Sequence, residues 1–228
     1  MADDTRLRIL RVAGPIFAEN GYEGTTIREI CAAADVNVAS VNYHFGGKET
    51  LYVETVAHAY GERLQRVPPA AWSPEATPAE QLHAFVTTIL KRCLGEGDVG
   101  WESRLLMREM LEPTDACRMV IGEYVRPQWN QLAQILDRLL PADTEEHVRQ
   151  QIAFSIVGQC VYYRMANELV LMLIGGDWQS DPYSIERLAQ HITQFSLAGI
   201  HGFADPGKQP NLRQADRVPH AVMANDIH

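Results

Sequence analysis

The residues best suited to chemistry in this sequence lie close together. Asn37, Ser40, Asn42 and His44 share one short stretch, and each side chain can donate and accept hydrogen bonds. Val38 and Ala39 between them are small enough to approach a thymine methyl group. Upstream stand Thr26, with a hydroxyl, and Arg28, whose guanidinium suits a guanine edge or a phosphate. Tyr43 can place its hydroxyl on a phosphate, and Lys48 adds a cation. Such a set can read base edges and hold the backbone of double-stranded DNA. The chain contains no G-x-S-x-G, Walker A or dinucleotide fingerprint, and Gly46-Gly47-Lys48 lacks the flanking residues of a P-loop. Its eight histidines have no paired ligand spacing. No catalytic residue, cofactor or metal is therefore expected.

Rigid elements must carry those side chains. Leu7, Leu10, Gly14 and Phe17 fall on one face of a first helix, capped by Asp4 or Thr5 and stopped at Asn20-Gly21. Pro15 inside it should kink it or remove a hydrogen bond. Thr26-x-x-Glu29 fits a capping box opening a second helix, with Ile27, Ile30 and Cys31 on its apolar side. Asp35-Val36 makes a turn, and Asn37 can cap a short third helix from Val38 to His44. Gly46-Gly47 ends it, and Lys48 opens a fourth helix to about Arg66, whose positive end favours a phosphate.

Further along, Val67 to Pro78 carries four prolines and reads as a linker. Helices are expected near 78–95, 100–112, 115–140, 143–173 and 182–201, with Pro127 kinking the third. Strand signals are almost absent. The fold class is all-α: a helix-turn-helix domain over 1–48, a connecting helix over 48–66, a helical domain over 67–203 and a flexible tail over 204–228. The apolar run from Ile152 to Ile174 contains Gln159, Arg164, Asn167 and Glu168, so no membrane span is expected. Four separated cysteines read as reduced thiols of a cytoplasmic protein.

Charge complicates the picture. The chain carries a formal net charge of -9. Residues 1–48 hold five basic side chains (Arg6, Arg8, Arg11, Arg28, Lys48) against six acidic ones (Asp3, Asp4, Glu19, Glu23, Glu29, Asp35). DNA binding would rest on placed groups and on two heads acting together, not on a general basic field.

The block Thr25–Lys48 resembles the TetR family of bacterial regulators. The likeness runs from Ile9 to about Leu51 through Phe17-Ala18-Glu19-Asn20-Gly21-Tyr22, Thr25-Thr26-Ile27-Arg28-Glu29-Ile30, Val36 and Tyr43-His44-Phe45 with Lys48-Glu49. The segment Asn42–Glu49 is similar to the CecR-like subgroup. Asn42 and Val38 depart from the family's common residues there, so the base code is this chain's own.

The resemblance implies a homodimer that binds operator DNA, with its recognition helices roughly 34–36 Å apart, and a C-terminal domain that takes a small-molecule effector. It implies a repressor released by that molecule. A helical sensor or carrier without specific DNA binding is the alternative. Polar and aromatic residues inside apolar helical runs are the effector candidates: Trp101, Arg104, Met107 and Arg108, then Tyr124, Trp129, Phe154, Gln159 and Tyr163, with Tyr162 and Arg164 beside them. Ile156 and Cys160, with Ile185, Leu188, Ile192 and Phe195 on the last helix, form the stripes expected to dimerise.

Overall fold

A computed structural model describes residues 2–95, 100–175 and 181–204. The tail expected to lack structure falls almost wholly outside them. The regular structure of the described residues is entirely helical, with no strand. In order they are α1 (Ala2–Gly24), α2 (Ile27–Ala34), α3 (Val38–Phe45), α4 (Lys48–Arg66), α5 (Pro78–Leu94), α6 (Trp101–Leu111) and α7 (Asp115–Val120), then α8 (Arg126–Leu139), α9 (Glu146–Met165), α10 (Asn167–Ile174) and α11 (Ile185–Ala204).

Local signals explain most boundaries. Helix α1 starts at Ala2, so Asp4 and Thr5 lie inside it and do not cap it. It continues through the exposed Pro15, and its non-helical residue is Gly21, at φ 74°. The Thr26 hydroxyl oxygen caps α2 by accepting from Glu29 N at 3.2 Å. The expected reciprocal bond gives way to another, in which Asn20 Nδ2 donates to Glu29 at 3.2 Å. A full capping box does form at α5, between Thr77 and Glu80.

Between Val120 and Arg126 the chain makes a π-helical turn, Ile121–Val125, in which Arg126 N–H donates to Ile121 O. Pro127 follows at once. It cannot donate to the preceding turn and its ring crowds a carbonyl there, and the wider turn relieves both. The long helix expected over 143–173 is broken at Ala166, at φ -104° and ψ 24°.

Two cores organise these helices. The first joins α1–α4 around Ile9, Phe17, Ile30, Val41 and Leu51, all fully buried, and takes in Leu105 and Leu106 of α6 and Ala116 and Val120 of α7. Each large apolar side chain buried there contributes roughly 1.5–3 kcal/mol. The second joins α5, α8, α9 and α11 around Leu82, Leu90, Leu132, Leu136, Ile156 and Ile192. Helix α6 therefore packs with the N-terminal helices although it follows the linker.

Candidate nucleic-acid interface

Helix α3 is fixed at both ends. Asn37 Oδ1 accepts from Ser40 N at 2.8 Å and from Ser40 Oγ at 3.0 Å. Gly46 closes the helix at φ 74°. Asp35 makes the turn from α2 in the left-handed region, at φ 50°, which short polar side chains tolerate best after glycine. Val41 and Phe45 anchor the inner face in the first core.

The opposite face is open. Thr26, Arg28, Asn37 and Asn42 are exposed, Val38 is 42% exposed, and Ser40 is half-buried. Tyr43 is 82% exposed, a high value for an aromatic ring, with its edge against His44 at 5.0 Å between centroids. His44 is half-buried between Tyr43 and Phe45. Two of the candidates have part of their capacity committed: Asn37 Oδ1 and the Thr26 hydroxyl oxygen serve as caps, which leaves the Asn37 amide nitrogen and the Thr26 hydroxyl proton to donate outward.

Lys48 is drawn back along the head, its ammonium 4.5 Å from the Tyr22 ring centroid and donating to Glu23 O at 3.5 Å. That tether orders the cation at the start of α4. The candidates thus stand at α2, on α3 and its cap, and at the first turn of α4.

An open groove of about 550 Å³ lies at Asn37 and Ser40, with Thr5, Arg8 and Asp35 also among its walls. Thr5 and Arg8 are not among the DNA-contact candidates; from sequence Thr5 reads as a helix cap and Arg8 as one basic residue among five. Arg6, by contrast, is held within the head, ion-paired with Glu54 and 5.3 Å from the Phe45 ring centroid.

The eleven effector candidates do not converge on one cavity. Of them, Met107 and Arg164 line the small cavity of about 30 Å³, together with Tyr60, Arg63, Cys93 and Ser103. Trp101 packs on Gly14, and Arg108 donates to Glu19 O at 3.2 Å beside Gly21. Arg104 is exposed. Tyr124 stacks on Tyr60 with centroids 5.5 Å apart, and Trp129 packs on Phe154 at 4.8 Å. Phe154 itself is 64% exposed. Gln159 donates to Ser155 O in its own helix, and Tyr163 packs against the second core. Most of these aromatic residues serve helix packing, which sequence spacing alone does not separate from cavity lining.

The dimer stripe needs a similar correction. Ile156, Cys160, Leu188 and Ile192 are buried in the chain's own second core, and Ile185 is half-buried against it, so those side chains face inward. Phe195 is the exception, at 64% exposed. The outward apolar face consists of Phe154, Tyr162, Met165, Phe195 and Phe203 on the same two helices.

A helix-turn-helix held by a first helix and set on a helical bundle defines a DNA-binding regulator. This chain belongs to the TetR family: residues 9–55 match the bacterial regulatory proteins of the tetR family, and residues 78–200 match the C-terminal domain of the HTH-type transcriptional dual regulator CecR. It is thus a transcriptional regulator and not an enzyme.

Among its relatives is the dual regulator CecR of Shigella flexneri, 26% identical over 201 residues, which cover 84% of this chain and 89% of that protein. The regulator BetI of Rhizobium meliloti is 25% identical over 210 residues, covering 91% and 95%. A solved tetR-family structure from Rhodococcus RHA1 superposes with a TM-score of 0.60 at 19% identity, covering 86% of this chain and 96% of that one, a likeness of fold alone. Among the described residues no helix is long and apolar enough to cross a membrane, and no group of three or more metal-ligating side chains occurs.

Proposed function

We propose that this chain is a homodimeric repressor that a small molecule releases from its operator. In this reading residues 1–48 form the DNA-binding domain, 48–66 connect, and 67–203 bind effector and dimerise. Arg28, Tyr43 and Lys48 hold phosphates or a guanine edge, while Asn37, Val38, Ser40, Asn42 and His44 meet the bases. The outward face with Phe154 and Phe195 supports pairing of two copies, since apolar patches of that kind on a helical bundle are normally covered.

The observation that carries the reading is the position of α6. One edge of this helix holds the DNA-binding head through Trp101 on Gly14 and Arg108 on Gly21. Its other edge supplies Ser103, Met107 and Met110 to the cavity. A molecule that enlarges the cavity by displacing α6 would carry α1 with it, because the Trp101 ring of α6 lies tight against Gly14. The ligand acts by binding one head arrangement better than the other.

Selection of bound DNA from a random pool, followed by a gel shift on the selected site, tests the reading. Specific, salt-sensitive binding weakened by a ligand supports it. The acidic balance of residues 1–48 favours the second reading, a sensor or carrier without specific DNA binding, and failure to enrich any sequence would select it.

A further inference from the structure

Three arginines meet where α4, α5 and α9 come together. Arg63 and Arg164 line the small cavity beside Cys93, and Arg92 lies next to them on α5. Their hydrogen-bond partners are all neutral. Arg63 donates to Arg92 O at 2.6 Å, and Arg92 donates to Val67 O at 2.9 Å and to Gln128 Oε1.

Arg63 Nε and Arg92 Nη2 are buried with no partner. Among the described residues no carboxylate lies within ion-pairing distance of any of the three. Burial, then the neighbouring Arg63, pushes the Arg92 and Arg164 pKa values down. Burial pushes the Cys93 thiol up, so it supplies no counter-charge. Guanidinium groups keep their protons in proteins, so this is concentrated positive charge lacking an anion.

We infer that the cavity is the head-group site for an anionic small molecule, a carboxylate on an apolar body. The inference rests on the ligand-responsive reading above and names its ligand class. A space of about 30 Å³ is small, room for a head group and not for a whole ligand. The guanidinium forks suit two parallel bonds to such a group. The body would lie along Leu106, Met107, Met110 and Val161; the thioethers can reshape around it, and Met110, 51% exposed, marks the way out.

Thermal-shift and calorimetric titrations of the full chain with octanoate, 1-octanol and octylammonium test this. Octanoate should bind at least about tenfold more tightly than octanol, and octylammonium should not bind. Arg164→Gln, which removes charge from the cluster, should fold with an unchanged or higher melting temperature and lose the preference for octanoate. Arg164→Lys should keep most of it. Equal binding of octanol and octanoate, or an undiminished preference in Arg164→Gln, overturns the inference. The selected DNA separates the two readings. Arg164-dependent octanoate binding that leaves the DNA complex intact upholds the anion site and removes the release mechanism. Release by neutral ligands with no carboxylate binding does the reverse.

Discussion

The Trp101 ring lies so close to Gly14 that a Cβ at position 14 would stand 2.4 Å from the indole carbon Cζ3. Glycine at this helical site is thus a matter of contact and not of backbone freedom. Alanine would favour the helix by about 1 kcal/mol, but the overpacking costs roughly 1–3 kcal/mol. Gly14→Ala should lower the melting temperature and alter Trp101 fluorescence, and adding Trp101→Ala should recover part of the loss. Full stability in the single variant would mean that α6 does not grip α1.

Arg28 and Lys48 are assigned phosphate or base-edge contacts. Replacing either by alanine should weaken DNA binding about tenfold, and for a phosphate contact the slope of log affinity against log salt should fall by about one. Unchanged slopes in a filter-binding titration would move the contacts elsewhere, with Arg8 on the adjoining groove the first alternative.

Tyr43 separates recognition from folding. With 82% of its surface exposed it contributes little to the core. Tyr43→Ala should change unfolding stability by no more than about 0.5 kcal/mol while clearly weakening the DNA complex. A large drop in stability with intact binding would make it a packing residue.

The head was readable from sequence because its signals are local. Thr26, Asn37 and Gly46 each act on backbone groups within a few residues, and the structure uses all three as caps. The bundle was less readable because α9 and α11 are apolar on two faces. Ile156 and Phe154 are both large and apolar, two positions apart, and only packing shows that one is 1% and the other 64% exposed. Of the arginine cluster only Arg164 was singled out from sequence; its meeting with Arg63 and Arg92 was not legible, since the three sit on helices far apart in the chain.

That double-faced pattern makes Ile192 and Phe195 a contrasting pair. Ile192→Ala should destabilise the subunit by about 2–5 kcal/mol, as a buried truncation does. Phe195→Glu should leave the subunit folded and shift sedimentation from dimer to monomer. Dimers that persist in Phe195→Glu would place the partner on another surface.

Cys160 should be chemically silent. Burial, then the neighbouring Cys93, raises its pKa to about 12. At pH 8 roughly one such thiol in ten thousand is the reactive thiolate. A thiol that titrates near 9 when unfolded and near 12 when folded holds the fold fully below pH 9, and that contribution is lost as pH rises between the two values. Alkylation at pH 8 followed by peptide mapping should find Cys160 unmodified in native protein and modified in denaturant.

The π-helical turn at Ile121–Val125 sets a rule on chain length. Before it, α7 buries Ala116 and Val120 in the first core; after it, α8 buries Leu132, Ile135 and Leu136 in the second. Each residue advances a helix by about 100°. Deleting one residue from this turn would restore an ordinary ladder and also rotate the apolar stripe of α8 away from its neighbours. The stretch therefore acts as a phase offset between two screw axes. It can absorb substitutions of side chain far more readily than a change of a single residue in length.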